Sequence, residues 1–502
     1  MSGLVSEERC PNFARLLSQR DHAVAVGAAD LGGDQRRYAA SDVEFLLGLR
    51  EKLTAQLEER GRLDWALADL ACLAADIPLV PLPTFFTPAQ LTHTIHQAGI
   101  DLILTDRLDA STRLSSDGTV LPRFGKLDAL RLPTPPVALP QGTAKITFTS
   151  GTTGAPKGVC LSRNGMETVA ESLRKASGAH AGDRHLNVLP LSTLLENIAG
   201  LYVPLLAGAS TRLLPGESIG LAGSSGVDPA RMLDALNAAK ASSAILVPQL
   251  LLALVAALRA GTPKPANLRY LAVGGAPVSP RLLTEAERLG LPVFEGYGLS
   301  ECGSVVAVNR PGDNYPGCVG RPLDHVALAF GPDGAIRVSG AGFLGYLGDA
   351  PRNATWVDTG DLGHLDADGR LHLTGRRKNM FITGFGRNVA PEWIERELLL
   401  HPAIAQTAVF GEGRPFNVAV IVARDKATDA QIASAVVAAN LELPDYARIG
   451  AWVRASAPFS AANAQLTPNG RPRREAIASA CADAIEGCYS LEYAKEDHEL
   501  LC

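Results

Sequence analysis

The chain has 502 residues, of which 46% are hydrophobic and 20% charged, and its formal net charge is −5. This length favours two or three domains over a single core, and the composition is typical of a soluble globular protein. The negative net charge gives no reason to expect a nucleic-acid partner.

The N-terminus and the cysteines also limit the possible classes of protein. The first ten residues lack the basic region and apolar core of a secretory signal. The eight cysteines have neither the close spacing of a zinc site nor the pattern of a disulfide framework. We therefore expect buried thiols and a cytoplasmic location.

The first informative stretch is a strand followed by a loop rich in glycine and hydroxyl side chains. Residues 145–149 alternate, with Ile146 and Phe148 on one face, which predicts a half-buried strand. The loop over residues 149–158 offers many backbone N–H donors, because glycine allows close approach and sharp turns. Lys157 adds positive charge at its rim. The pattern predicts a site for nucleotide phosphates, although it lacks the Gly-Lys-Ser/Thr end of a Walker loop.

Further along, the longest apolar stretch covers residues 244–258. Pro248 and Gln249 interrupt it, and it is shorter than the roughly 20 residues that a membrane span needs. We expect a buried helix here. Peripheral contact with a membrane stays open if the substrate is a lipid.

Strand-like and helix-like stretches alternate through the middle of the chain, which indicates an α/β architecture. Residues 268–273 are predicted to form a strand and residues 279–289 a helix that Ser279 caps. Residues 291–294 are the next predicted strand. It delivers residues 295–301 to its carboxyl end, where ligands bind in open α/β sheets.

Composition marks the connections and one domain boundary. Proline-rich residues 132–140 and the glycine- and serine-rich residues 216–228 are predicted surface connections. The most consequential boundary lies near Gly375. A glycine-rich segment follows it, and then a helix opens at Pro391 and a strand covers residues 407–410.

Four of these segments resemble, in the same order, the motifs of the adenylate-forming (AMP-binding) superfamily. This superfamily includes acyl-CoA synthetases, firefly-type luciferases and the adenylation domains of peptide synthetases. The segments are the phosphate loop at 149–158, a second nucleotide motif at 296–301, a ribose motif at 358–361, and a hinge region at 375–379 with 388–392. The resemblance covers the chain from about residue 65 to residue 474.

The resemblance implies an α/β fold with two parts. Residues 1–374 would form a large N-terminal domain of layered sheets and helices, and residues 375–502 a small mobile α+β lid domain. The implied activity is the ATP-dependent activation of a carboxylic acid, a fatty acid by nearest likeness, to an acyl adenylate. Coenzyme A would then accept the acyl group as a thioester. A ligase that loads an acyl carrier protein is the alternative.

The resemblance also implies roles for individual residues. Attack of a carboxylate on the α-phosphate of ATP brings anions together, so catalysis needs charge neutralisation and positioning more than proton transfer. Glu301 is the candidate Mg²⁺ ligand. Tyr297 would stack on adenine, while Asp361 would accept hydrogen bonds from the ribose hydroxyls with Arg376 close by. The other candidate nucleotide-binding residues are Thr149, Ser150, Gly151, Thr152 (also a catalytic candidate), Thr153, Gly154, Lys157, Gly275, Ala276, Gly298 and Ser300.

The lid domain carries the remaining expected site residues. Lys378 lies where the family has the hinge residue, whose backbone torsion would swing the lid between two half-reactions. Gly384 and Gly386 would let the pantetheine arm of the acceptor pass close to the backbone.

The chain departs from the family at two positions. Arg471 stands where the family has its adenylation lysine, and arginine keeps the charge but differs in shape and geometry. Two alternatives follow: an impaired homologue that binds adenylates without making them, or a basic turn that pairs with surface carboxylates. Thr193 replaces a histidine common in fatty acyl-CoA synthetases, while Glu196 remains, so the local pattern stays nearer to those enzymes than to amino-acid-activating domains.

Overall fold

The computed structural model describes residues 57–58, 63–83, 86–106, 118–149, 156–222, 226–340, 342–350, 352, 354–424, 426–467 and 470–489. Within these ranges, no helix is long and apolar enough to cross a membrane. The predicted loop residues Ser150, Gly151, Thr152, Thr153 and Gly154 lie outside the described residues, as do Cys10 and Cys502.

The helices occur in both halves of the chain. In chain order they are α1 (Leu63–Ala74), α2 (Pro88–Ala98), α3 (Arg163–Ser177), α4 (Leu194–Glu196), α5 (Val203–Leu206), α6 (Pro229–Ala238), α7 (Pro248–Arg259), α8 (Pro280–Arg288), α9 (Pro391–Leu399), α10 (Asp429–Asn440), α11 (Arg474–Ala480) and α12 (Ala482–Cys488). A π-helix, Asn197–Tyr202, joins α4 to α5. Short 3₁₀ helices cover Gly216–Ile219, Ser300–Cys302 and Asp445–Ala447.

The strands that precede the lid segment are β1 (Leu57–Glu58), β2 (Leu102–Thr105), β3 (Thr119–Phe124), β4 (Leu127–Arg131), β5 (Thr143–Thr149), β6 (Lys157–Ser162), β7 (Arg184–Asn187), β8 (Ser210–Leu213), β9 (Leu221–Ala222), β10 (Gly226–Val227), β11 (Ser243–Leu246), β12 (Tyr270–Val273), β13 (Val293–Tyr297), β14 (Ala307–Val308), β15 (Arg321–Pro322), β16 (Ala327–Phe330), β17 (Ala335–Ser339), β18 (Phe343–Tyr346), β19 (Val357–Leu365) and β20 (Leu371–Arg376). Those that follow are β21 (Phe381–Ile382), β22 (Asn388–Val389), β23 (Ile404–Phe410), β24 (Asn417–Ala423) and β25 (Ile449–Arg454).

The central sheet has eight strands in the order β1-β8-β7-β11-β12-β13-β14-β15. In this order, each pair of neighbours from β1 through β8, β7, β11 and β12 to β13 is parallel, whereas the pairs β13–β14 and β14–β15 are antiparallel. Helices α6, α7 and α8 pack against this sheet in one apolar core that includes Leu251 and Leu271. A second core joins α1, α3 and the π-helix around Leu67 and Met166. The α/β prediction is confirmed.

The predicted elements around the second nucleotide motif are confirmed with small shifts at their ends. Strand β12 begins two residues later than predicted, and α8 begins at Pro280 with Ser279 as its N-cap. Strand β13 runs on to Tyr297, so its carboxyl end carries the first residues of the motif. Residues 132–140 form neither helix nor strand, as predicted.

Three local predictions were wrong. The apolar stretch 244–258 is not one helix, because β11 occupies its start and α7 begins only at Pro248, whose missing N–H is tolerated in the first turn. Residues 216–228 are more than a surface connection: they contain a 3₁₀ helix, the β9–β10 pair and the buried Ile219. Strand β5 is buried on both faces rather than half-buried.

The buried polar face of β5 depends on Lys145, of which only 1% is exposed. Its Nζ lies 2.6 Å from Asp69 Oδ2 and 2.9 Å from Tyr202 Oη, and it also donates to Asn197. Asp69 belongs to α1, while Asn197 and Tyr202 are the two ends of the π-helix. A buried ammonium needs such partners, and they anchor the strand that leads into the phosphate loop.

The C-terminal segment has its own sheet and cores. Strands β23 and β24 are antiparallel, and β24 and β25 are parallel. Helices α9 and α10 contribute to one apolar core and α11 and α12 to another, centred on Ile421 and Val420 respectively. The α+β character of a small C-terminal unit is thereby confirmed, while the limit between residues 374 and 375 stays a prediction.

Candidate active site

The centre of the site is a carboxylate with two bound donors. Strands β19 and β20 are antiparallel neighbours that place Asp361 opposite Arg376. Arg376 Nε donates to Asp361 Oδ1 at 2.7 Å, and Tyr297 Oη donates to Oδ2 at 2.7 Å. Burial, together with the Asp361 charge, raises the pKa of Tyr297, so its phenol stays a donor. The ribose motif and the second nucleotide motif therefore meet directly.

The turn after β13 requires glycine at position 298. A Cβ on Gly298 would lie 1.7 Å from the carbonyl oxygen of Ser304, far inside contact distance. This close approach folds the chain sharply into the 3₁₀ helix that starts at Ser300 and carries Glu301. The predicted residues of this motif therefore lie on one compact turn at the carboxyl end of β13.

Glu301 is linked to the phosphate loop through a residue that the motif analysis missed. Tyr346 Oη donates to Glu301 Oε1 at 2.9 Å, and Lys157 Nζ lies 5.4 Å from the centroid of the Tyr346 ring. Strand β18 brings Tyr346 there because it pairs with β6, the strand that begins at Lys157. Thr149 pairs with Lys157 across β5 and β6. The two ends of the phosphate loop are therefore adjacent.

Arg471 reaches this site from the C-terminal segment. Its Nη2 donates to the carbonyl oxygen of Gly275 at 3.2 Å. Gly275, with φ of +85°, and the exposed Ala276 form the turn after β12. The guanidinium therefore binds the turn after β12, and among the described residues it forms no ion pair with a carboxylate.

Electrostatics also tie Arg471 to the cluster. Its side chain is accessible from the open cleft, yet the protein that surrounds it lowers its pKa, and the charge of Arg376 lowers it further. The carboxylates of Asp361 and Glu301 act in the opposite direction. One site therefore contains two cations, Arg376 and Arg471, and two anions, Asp361 and Glu301. They come from three sequence motifs and the C-terminal segment.

The predicted lid residues divide into two groups. Lys378 is close enough to the cluster to feel its charges. Burial has the largest effect and lowers the pKa of Lys378, and the charges of Arg376 and Arg471 lower it further. Gly384 and Gly386 lie in the turn between β21 and β22. Their amides donate to Arg414 and Thr383 within the C-terminal segment, not to the cluster.

Glu196 has a structural role in this arrangement. Its side chain is fully buried, its Oε2 accepts from the Leu189 amide at 3.0 Å, and its Oε1 lies 3.1 Å from His185 Nε2. Asn187 donates to the same Oε1. These bonds fix the segment that leads to Thr193, at the N-terminus of α4.

One carboxylate of the site has the chemistry to bind Mg²⁺ together with a nucleotide. Among the residues that the structure describes, no three His, Cys, Asp or Glu side chains form a metal-binding group. Mg²⁺ usually keeps waters and binds one or two carboxylates plus substrate phosphates. Glu301 offers one such carboxylate beside the phosphate loop.

Comparison with known proteins identifies the family to which the chain is similar. The AMP-binding enzyme family matches residues 47–331, and the AMP-binding enzyme C-terminal domain matches residues 379–492. Long-chain-fatty-acid–CoA ligase FadD15 of Mycobacterium bovis is 34% identical over 256 residues, which are 45% of this chain and 43% of that protein. The match thus spans less than half of that relative.

Two other comparisons cover more of the chain. The 2-succinylbenzoate–CoA ligase of Bacillus licheniformis is 28% identical over 72% of this chain and 77% of that protein. The crystal structure of the anthranilate CoA ligase AuaEII with anthranoyl-AMP superposes with a TM-score of 0.69 at 19% identity, covering 89% of this chain and 92% of that one. The latter likeness shows a shared fold.

Proposed function

This chain belongs to the AMP-binding enzyme family, and from that premise we propose that it is an ATP-dependent acid–thiol ligase. In the first half-reaction the acid's carboxylate attacks the α-phosphate of ATP, giving an acyl adenylate and pyrophosphate. In the second, a thiolate attacks the acyl carbonyl carbon, giving a thioester and AMP. The observation that carries the proposal is the hydrogen-bonded cluster of Asp361, Arg376 and Tyr297, whose charged members act on the nearby Arg471.

Each residue in the cluster has a proposed task in adenylate formation. Asp361 accepts hydrogen bonds from the ribose hydroxyls, because each carboxylate oxygen can accept more than the one bond it already makes. Arg376 holds that carboxylate and approaches the same sugar. Glu301 binds the Mg²⁺ that neutralises phosphate charge when ATP is bound. Lys157 and the loop amides hold the phosphates.

Arg471 is proposed to take the place of the family's lysine. Its guanidinium donates to the Gly275 carbonyl, and we propose that the acid and the α-phosphate meet beside it. A fixed cation there stabilises the negative charge that develops as the carboxylate attacks. Arginine can hold carboxylate or phosphate oxygens with two N–H groups, so it can serve in this role.

The acid is proposed to be a fatty acid and the acceptor coenzyme A. The cavity that contains Gly275 has a volume of about 4600 Å³, and charged side chains line it together with aliphatic ones such as Leu189, Leu191, Leu252, Ala253 and Ala256. FadD15 is named for long-chain fatty acids, whereas other relatives are named for succinylbenzoate, so the acid itself belongs to the proposal. The named relatives are CoA ligases, which favours coenzyme A over an acyl carrier protein.

The lid is proposed to begin at residue 375 and to turn about Lys378 between the half-reactions. A boundary in this region is supported by the end of β20 at Arg376 and by the match to the C-terminal domain from residue 379, which both lie slightly beyond residue 375. Gly384 and Gly386, apart from the cluster here, would reach the acceptor after the rotation. The enzyme would act in the cytoplasm.

The proposal is tested with ATP–pyrophosphate exchange across a panel of fatty, aromatic and dicarboxylic acids. Thioester products are then sought by mass spectrometry, with coenzyme A and a phosphopantetheinylated carrier protein offered separately. Exchange and acyl-CoA formation with aliphatic acids are expected. Thioester on the carrier protein alone would favour the alternative acceptor, and ATP binding without any exchange would indicate an impaired homologue.

A further inference from the structure

A buried ion pair stands three residues beyond Arg471. Arg474 presents both terminal nitrogens to Glu395: Nη1 donates to Oε1, and Nη2 donates to Oε2 at 2.7 Å. Glu395 lies on α9 and is only 7% exposed. Its Oε1 also accepts a hydrogen bond of 2.8 Å from the amide of Val409, near the end of β23. The carboxylate is therefore fixed before the guanidinium binds it.

The same guanidinium also approaches the hinge. Arg474 Nη2 lies 3.5 Å from Glu392 Oε1, one turn earlier on α9. That oxygen accepts a hydrogen bond from Asn379 Nδ2. Asn379 directly follows Lys378, the proposed pivot. Arg474 thus joins α9, β23 and the segment beside the hinge.

On its other side, Arg474 adjoins the segment that carries Arg471. We call residues 465–467 and 470–473 the Arg471 turn. Within it, the Arg471 amide donates to Thr467 Oγ1 at 3.0 Å, and the Arg473 amide donates to the Gln465 carbonyl at 2.8 Å. These bonds hold the turn together, and the amides of Gln465 and Leu466 tie its start to the Ser460 carbonyl at 3.1 and 2.9 Å. Arg474, at the start of α11, supplies a fixed point at its end.

We propose that Arg474 is a positioning residue that, through Glu395, holds the Arg471 turn so that the Arg471 guanidinium reaches the Gly275 carbonyl. The catalytic consequence rests on the function proposed above. Both partners belong to the C-terminal segment, so the pair moves with the lid and stays intact in either orientation. The position of the Arg471 turn affects the reaction only in the lid orientation in which Arg471 contacts the nucleotide. Arg474 therefore serves adenylate formation and not thioester formation.

The two-pronged geometry makes the pairing specific to arginine. Two parallel N–H donors fix the angle of the guanidinium as well as its distance from the carboxylate. A lysine ammonium keeps the charge but supplies one point contact. A misplacement of about 1 Å at a reacting group can cost about 100-fold in rate, so the loss of direction should be visible in kinetics.

The first test measures the two half-reactions separately. In Arg474→Met, acid-dependent ATP–pyrophosphate exchange should fall by about 100-fold, while thioester formation from supplied acyl adenylate should stay within about threefold of wild type. Arg474→Lys should lose less ATP–pyrophosphate exchange activity than Arg474→Met. A role limited to stability would lower both half-reactions together, and that result would overturn the inference.

The second test does not need activity. Hydrogen–deuterium exchange at the amides of Arg471 and Arg473 should quicken in Arg474→Met. The matched control is Arg454→Met in the same segment, since Arg454 pairs with the largely exposed Asp429. That variant should leave both amides protected. Unchanged hydrogen–deuterium exchange in Arg474→Met would overturn the inference, whether or not the wild-type protein has ligase activity. A wild-type protein without ligase activity would count against the proposed function instead.

Arg474→Met leaves a buried carboxylate without its cation, which can prevent folding. The double variant Glu395→Gln with Arg474→Met avoids this, because the glutamine is neutral and still offers an acceptor to the Val409 amide. It should fold and show the same selective loss of adenylate formation. A folded double variant that catalyses ATP–pyrophosphate exchange at the wild-type rate would overturn the inference.

Discussion

The guanidinium of Arg471 donates to the carbonyl oxygen of Gly275, although 196 residues separate the two in the chain. The contact closes the C-terminal segment over the nucleotide motifs. It also brings a cation close enough to Arg376 and Asp361 for their charges to act on its pKa. Arg471, which stands where the family resemblance predicts a lysine, therefore reaches the site that we propose for the first half-reaction.

The first prediction concerns Arg471. Arg471→Ala should lower acyl adenylate formation by about 100-fold, because a fixed charge at the reacting groups is lost. Thioester formation from supplied adenylate should be nearly unchanged. Arg471→Lys should retain or raise the rate, since the family resemblance predicts a lysine ammonium at this position. Single-turnover measurement of each half-reaction decides, and equal adenylation in all three proteins would remove Arg471 from the mechanism.

Glu301 is expected to be needed for magnesium-dependent chemistry. Glu301→Gln keeps the size of the side chain and an oxygen for Tyr346, but it loses the charge that binds the metal. Mg²⁺-dependent pyrophosphate release should fall by about 100-fold. The matched control is Tyr346→Phe, which removes the hydrogen bond and leaves the carboxylate, and it should cost much less. A well-folded Glu301→Gln protein that releases pyrophosphate at the wild-type rate would refute the assignment.

Asp361 is expected to govern nucleotide affinity. Asp361→Ala removes the acceptor proposed for the ribose hydroxyls, and hydrogen bonds to charged groups contribute about 1.5–3 kcal/mol each. The dissociation constant for ATP should therefore rise tenfold or more, as measured by calorimetry. Tyr297→Phe leaves the carboxylate in place and should have a smaller effect. ATP affinity that is unchanged in Asp361→Ala would contradict the ribose role.

Glu295 should make the stability of the protein depend on pH. Burial raises the pKa of this carboxyl from 4.5 to about 8, although the Val278 amide and Arg396 partly oppose the shift. The unfolded chain ionises from about pH 4.5, whereas the folded protein resists ionisation until about pH 8. The contribution of Glu295 to the free energy of unfolding is thus complete below pH 4.5, and about 4–5 kcal/mol of it is lost by pH 8.

Glu295→Gln stays neutral and keeps an acceptor for the Val278 amide, so it should not suffer this loss. Urea denaturation should show similar stabilities at pH 5 and a more stable variant at pH 8. A difference between the two proteins that is the same at both pH values would show that Glu295 titrates normally.

Much of this site could be predicted from sequence because its signals are local. Proline after Ser279 marks the start of α8, and the glycine pattern around Tyr297 marks a sharp turn at a strand end. Likeness to a family then indicated that Asp361, Arg376 and Arg471 belong to one site. The structure brings these residues together, while their catalytic roles stay predictions.

The features that were missed depend on partners far away in the chain. Lys145 was expected on an exposed strand face because its alternation with apolar residues suggests one. It is buried because Asp69, Asn197 and Tyr202, which are 52 to 76 residues away, meet it in space. Tyr346 escaped notice for the same reason, since only the pairing of β18 with β6 brings it to Glu301.

The central claim is that the acid becomes an acyl adenylate, and transfer of an oxygen isotope tests it most directly. The protein is given ATP, coenzyme A and a fatty acid whose carboxylate carries two ¹⁸O atoms. If the carboxylate attacks the α-phosphate and the thiol then displaces AMP, one ¹⁸O must leave with AMP. Mass spectrometry should show AMP that is heavier by about 2 Da, formed in equal amount with acyl-CoA. Acyl-CoA formed with unlabelled AMP, or with ADP, would contradict the account.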